Sequence, residues 1–133
     1  MGILSLSIMD NATSLSVTGG TAQAFGPDGQ LVTNGVHVAA TAVADFRVRP
    51  HVSFKNKTPL RKSDGSFGYG SRTMTVTEPY LHTDGLVYYV TTTIESRFHP
   101  VIPATTLKNA RYKAAQLQFD ADTENFNTVG DLS

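Results

Sequence analysis

Three stretches of this chain alternate apolar and polar residues at every second position, and beyond Pro103 the spacing changes to three and four. A period of two sends successive side chains to opposite faces of a sheet, whereas a period near 3.6 gathers them on one side of a helix. Strands first and helices last define an α+β chain: an antiparallel sheet with helices laid on one face. In the first stretch, Phe46–Lys57, one face carries Phe46, Val48, Pro50, Val52 and Phe54. The other carries Arg47, Arg49, His51, Ser53, Lys55 and Lys57. A row of cations on one strand can be a solvated face or a surface that meets an anion, and the rest of the chain decides between them.

The second stretch, Arg72–Tyr80, sets Met74, Val76 and Tyr80 against Thr73, Thr75 and Thr77, with Pro79 suited to a strand end. The third, Leu86–Phe98, sets Leu86, Tyr88, Val90, Ile94 and Phe98 against Val87, Tyr89, Thr91, Thr93, Glu95 and Arg97. Between them His82-Thr83-Asp84-Gly85 is a hairpin turn, because Asp-Gly tolerates positive φ. Thr58-Pro59 and the glycines at 65, 68 and 70 mark the longer connection after the first stretch. Residues 46–98 thus form the main sheet, whose polar face offers charge for phosphates, hydroxyls for sugars and an aromatic ring for a base.

Upstream, residues 1–25 read as a β-hairpin: Leu4, Leu6 and Ile8 alternate with serines, Asp10-Asn11 supplies a turn, and Leu15 and Val17 alternate again. The sheet is therefore expected to have about five strands. Residues 26–45 show only turn signals at Gly26-Pro27-Asp28-Gly29 and Asn34-Gly35, with Val36–Ala40 open to either a strand or a loop. Downstream, Leu107, Ala110, Ala114 and Leu117 recur at helical spacing, with Thr105 or Thr106 as the expected N-cap. Asp120 or Asp122 caps a second, short helix that Gly130 closes, so two helices fill residues 104–130. Phe119, Phe126 and Val129 read as packing residues.

The chain has 133 residues, enough for one domain, and no net charge. Yet seven of its eleven Lys and Arg lie between Arg47 and Arg72, while the segment after Phe119 is purely acidic. The basic character belongs to the sheet. With no cysteine there is no disulfide, thiol nucleophile or thiolate metal site. His37, His51, His82 and His99 are scattered, with no metal-ligand spacing on a helix, nucleophile elbow or phosphate loop. The expectation is a non-enzyme without cofactor, metal or small-molecule substrate, and no run is apolar enough for a membrane.

A five-stranded sheet is about 20–24 Å wide and a helix covers a strip of about 10 Å, so one long helix leaves apolar sheet surface wet. A symmetric dimer closes that gap if each chain lends its helices to the other's sheet, with Leu107, Ala110, Ala114 and Leu117 as interface residues. Ala110 and Ala114 permit close helix approach in that dimer and within one chain alike.

The layout and several local strings resemble the coat proteins of the small single-stranded RNA bacteriophages. The strings are Ala44-Asp45-Phe46-Arg47-Val48-Arg49, Thr83-Asp84-Gly85, Ala114-Ala115-Gln116-Leu117-Gln118-Phe119-Asp120 and Phe126-Asn127-Thr128-Val129-Gly130. The resemblance implies edge-to-edge sheets in a homodimer, an icosahedral shell, and an inward sheet face that binds a genomic RNA hairpin and represses translation. It implies residence in the virion, and in the host cytoplasm before assembly. By position, the RNA-facing residues would be Arg47, Arg49, His51, Ser53 and Lys55, then Thr73, Thr75 and Thr77, then Tyr89, Thr91 and Thr93, with Tyr89 stacking on a base. Well-studied members carry a lysine on the second strand's polar face, where this chain has threonines. Two other readings share the residues: a cellular RNA- or single-strand-binding module that forms no shell, and a capsid face that only neutralises packaged RNA.

Overall fold

The computed structural model describes residues 2–133 and divides into two compact units. Gly20–Pro100 forms one; the residues up to Gly19 together with Val101–Ser133 form the other.

The first unit is an antiparallel sheet of five strands in sequence order: β1 (Gly26–Pro27), β2 (Gly35–Ala39), β3 (His51–Lys57), β4 (Gly70–Leu81) and β5 (Val87–Phe98). Directly opposed residues share a face, so the register decides which side chains meet. Val36, Phe54, Met74 and Ile94 form one apolar row, and Val38, Val52 and Val76 another, ending at Thr92. On the opposite face lie the rows Lys55–Thr73–Glu95, Ser53–Thr75–Thr93 and His51–Thr77–Thr91. The β4–β5 hairpin closes as its sequence dictates: Gly85 has φ near +85°, and the Asp84 carboxylate accepts from the Leu86 amide at 2.8 Å.

Burial is sparse. Among the described residues the buried apolar side chains are Ala39, Ala40, Phe98 and Pro50, and no large side chain is fully buried. On the apolar face of the sheet Phe54 is 42% exposed and Val90 64%.

The second unit contains α1 (Ala104–Phe119) and α2 (Glu124–Val129), joined through a 3-10 turn at Ala121–Thr123. Pro103, not Thr105 or Thr106, is the N-cap of α1; its carbonyl accepts from the Thr106 and Leu107 amides. Asp120 caps the 3-10 turn by accepting from the Asp122 amide at 2.8 Å, and Gly130 closes α2 at φ near +74°. The Thr123 hydroxyl and Asn127 amide donate to the Leu117 carbonyl at 2.7 and 3.1 Å, which ties α2 to the end of α1. Among the described residues no helix is long and apolar enough to cross a membrane.

The hairpin expected in residues 1–25 does not form. The only regular element of residues 2–25 is a 3-10 turn at Ile3–Ser5, and the sheet takes its first two strands from 26–39 instead. The alternation was real, but its partner is not a strand. From Ser7 to Asn11 every second amide donates to a side chain: Ser7 to Asp122 Oδ2 at 3.2 Å, Met9 to Gln116 Oε1 at 2.8 Å, and Asn11 to Asn109 Oδ1 at 2.9 Å. The Gln116 amide returns a bond to the Met9 carbonyl at 3.1 Å, and Lys113 pairs with Asp10 at 2.8 Å. Polar side chains of the C-terminal elements thus do for this extended segment what a neighbouring strand would do. At 100° per residue, Asn109, Tyr112, Lys113 and Gln116 form one side of α1, and Leu107, Ala110, Ala114 and Leu117 a separate stripe. Along that stripe Ala110 and Ala114 are exposed, Leu107 and Leu117 half-buried.

The first long strand begins at His51 and not at Phe46. The Asp45 carboxylate accepts from the Arg47 amide at 3.0 Å and winds Phe46–Val48 into a 3-10 turn. Pro50, buried and without an amide proton, then precedes the first ladder position. Arg47 and Arg49 therefore stand outside the strand on which their alternation placed them.

Gln116 is buried and satisfies Met9 at both its amide and its carbonyl. Replacing Gln116 by Ala is expected to cost about 1–3 kcal/mol in urea unfolding and to speed hydrogen exchange at the Met9 amide. Unchanged exchange at Met9 would show that the segment is held by other contacts.

Candidate nucleic-acid interface

The polar face of the sheet is built by register alone. His51, Ser53 and Lys55 on β3, Thr73, Thr75 and Thr77 on β4, and Tyr89, Thr91 and Thr93 on β5 all project from the same side. Nine of the eleven expected RNA-facing residues are thereby brought onto one surface. Threonine suits the middle of such a face: its branched carbon favours the strand and its hydroxyl remains free to bond. Thr75 and Thr93 hydroxyls lie 3.5 Å apart, and Thr77 is buried. Tyr89 sits opposite Pro79, 56% exposed, with its hydroxyl donating to the Arg47 carbonyl at 3.4 Å. A ring held at its tip and open on its flank is a platform on which a planar group can stack.

The two remaining residues, Arg47 and Arg49, are committed elsewhere. Arg47 grips Asp45 with Nε and Nη2 at 3.2 and 2.9 Å, which holds the Asp45 carboxyl below the usual range and raises the guanidinium. Arg49 donates from Nε and Nη2 to the Val43 carbonyl at 3.0 and 2.8 Å. Each would have to give up a bond, or share it, to contact an anion.

His51 is not a free cation either. Its Nδ1 lies 3.2 Å from His37 Nε2, with ring centroids 4.9 Å apart, and His37 Nδ1 lies 2.9 Å from Asp28 Oδ1. Burial and the neighbouring His37 push His51 below the usual imidazole value, against the opposing pull of Asp28. For Asp28, burial acts upward, but the bonds from His37 and the Gln30 amide outweigh it and leave the carboxyl low.

The register adds cations that the sequence reading did not single out for the site. Lys57 stands opposite Ser71, which stands opposite Arg97, on the same polar face. Among the described residues, Lys55, Lys57 and Arg97 form no ion pair. Continuing the period-2 count from Lys55 and from Tyr89 reaches Lys57 and Arg97, and also Glu95, which places one carboxylate on this face. His37 and Asp28 carried no such signal. They come from a five-residue strand and a turn whose relation to β3 is set by pairing alone.

The sheet thus carries one hydroxyl-rich, cationic face and one apolar face with exposed side chains, and two helices follow it in the chain. No protein-family model matches the sequence, and none of the curated proteins matches it. Among solved structures the chain is similar to the virus-like particle of bacteriophage GQ-907: the two are 32% identical, with a TM-score of 0.91 over 99% of this chain and 100% of that one. The chain belongs to the coat proteins of the small single-stranded RNA bacteriophages.

The commitments of Arg49 and Lys55 separate their roles. Arg49→Ala, which strips two donors from the Val43 carbonyl, is expected to lower unfolding stability by about 1–3 kcal/mol. Lys55→Ala should stay within about 0.5 kcal/mol of the native chain. Equal urea midpoints for the two variants would contradict this division.

Proposed function

We propose that this chain is the structural subunit of a phage capsid: it dimerises, the dimers close into an icosahedral shell, and the polar sheet face lies inward on genomic RNA. The observation that carries this reading is the segregation of the sheet. Lys55, Lys57, Arg97, the threonines and Tyr89 occupy one face, while Phe54, Met74, Val76, Val90 and Ile94 stand exposed on the other. Exposed apolar side chains along this face are costly in water, and among the described residues the outer edge of the twelve-residue β5 has no neighbouring strand.

Both needs are met by a second copy. Pairing β5 with the β5 of a two-fold-related chain continues the sheet, and the Leu107, Ala110, Ala114 and Leu117 stripe of each copy then covers the apolar face of the other. The polar faces of both copies merge into one floor, with Thr91 and Thr93 near its middle and Tyr89 nearer one end of each β5. Phosphates meet Lys55, Lys57 and Arg97, sugars meet the threonine hydroxyls, and Tyr89 stacks on a base. We place the subunit in the virion, and in the bacterial cytoplasm before assembly. Bound to a hairpin of its own genome, the dimer would act as a translational repressor.

Of the readings open from the sequence, the coat subunit is preferred to a cellular binding module because the likeness to a virus-like-particle chain runs the full length of both chains. Electron microscopy of the purified protein with RNA is expected to show closed shells of uniform size; dimers alone, at every salt concentration, would contradict the capsid role. Tyr89→Ala should cost about 1–3 kcal/mol of RNA affinity, and Lys55→Ala should reduce the salt slope by about one phosphate contact. Competition of a genomic hairpin against bulk RNA decides the repressor role, a preference near unity leaving only charge neutralisation.

A further inference from the structure

Resting on the reading of the polar sheet face as the RNA surface, we propose that Asp28, His37 and His51 form a proton relay that converts His51 Nε2 from an acceptor into a donor for RNA phosphate oxygens. Capture of a single proton then tightens RNA binding.

The relay follows from bonding rules applied in order. An ionised carboxylate only accepts, so the 2.9 Å contact to Asp28 requires a proton on His37 Nδ1. In a neutral His37 the other nitrogen, Nε2, is then a lone pair. The 3.2 Å contact between that lone pair and His51 Nδ1 requires a proton on His51 Nδ1. A neutral His51 is thus left with a bare Nε2, an acceptor that repels a phosphate oxygen. Adding one proton reverses the chain whichever ring holds the charge. If it stays on His51, Nε2 carries it directly. If it passes to His37, both nitrogens of His37 donate, His51 Nδ1 becomes the acceptor, and His51 Nε2 keeps a hydrogen. The outer nitrogen is a donor in both cases, and it has no bond to any other described residue.

The surroundings leave this switch to the triad. Asp28 follows β1, His37 is on β2 and His51 on β3, so three segments must hold their register for the chain of bonds to exist. From β4 the same face presents Thr77 and Thr75, and beyond them β5 presents Thr91 and Thr93, with Glu95 further along the strand. In the segment before β3, Arg47 is held by Asp45 and Arg49 by the Val43 carbonyl; the further cation of this face on β3 beside them is Lys55, then Lys57. The side chains of His37 and Asp28 are only 8% and 11% exposed, so solvent reaches the relay chiefly through His51. A second proton would set two N–H groups against each other across the 3.2 Å gap, which limits the relay to one.

The test pairs a measurement without RNA and one with it. Nitrogen-15 NMR of the RNA-free protein at about pH 8 is expected to find both rings protonated at Nδ1 and bare at Nε2. Affinity for labelled poly(U) at fixed salt is expected to rise about threefold or more between about pH 8 and about pH 5.5, with that gain lost in His51→Asn and His37→Asn. A His51 protonated at Nε2 at high pH, or poly(U) binding that is equal at both pH values, overturns the relay while leaving the RNA face intact. No poly(U) binding at any pH overturns the RNA reading and the proposal with it.

Discussion

The constraint on which the rest of the structure depends is a sheet whose two faces differ in kind, one polar and one apolar with Val36, Phe54, Val76 and Val90 exposed. Strand alternation produces this directly: the central rows of the register are apolar on one face, as in Val36–Phe54–Met74–Ile94, and polar on the other, as in Ser53–Thr75–Thr93. Burying the apolar rows is worth about 25 cal/mol per Å² removed from water, and with Val90 64% and Phe54 42% exposed part of that gain is unrealised in one chain. In the proposed dimer a second copy would supply it. The hydroxyl-rich face, by contrast, loses nothing in water and is free to meet a polyanion.

The second unit shows the same economy of partners. Its most buried side chains are polar: Gln116, Asp122 and Thr123, which serve the backbone of residues 7–11 and the α1–α2 junction. Committing that side of α1 to the N-terminal segment leaves the stripe of Ala110 and Ala114 exposed. Small residues on an open helix side allow close approach of another surface, which is what the proposed dimer uses.

Much of this was legible in the sequence, and the misreadings have definite causes. The strands β4 and β5 and the helix α1 were readable because long runs of one period admit one reading, and the short α2 because Gly130 marks its end. Residues 4–17 alternate as a hairpin would, but alternation reports an extended chain and says nothing of its partner, here the side chains of Asn109, Gln116 and Asp122. The basic alternation continued from Phe46 to Lys57 although Asp45 turns the backbone at its start, so Arg47 and Arg49 were counted with a strand they do not join. Most of the polar face was predictable because register follows alternation. Asp28 and His37 were not, since their meeting with His51 depends on a short strand pairing across a long connection.

In the proposed dimer a second copy completes the edge of β5 and the apolar face. Hydrogen exchange of the RNA-free protein at micromolar concentration tests it most directly. In an antiparallel edge strand, half the amides point inward to β4 and half outward. Edge-to-edge pairing predicts slow exchange along the central part of Val87–Phe98, inward and outward amides alike, together with slowed exchange in α1. Alternating fast and slow amides through the centre of β5, unchanged on raising the protein concentration, would contradict the account.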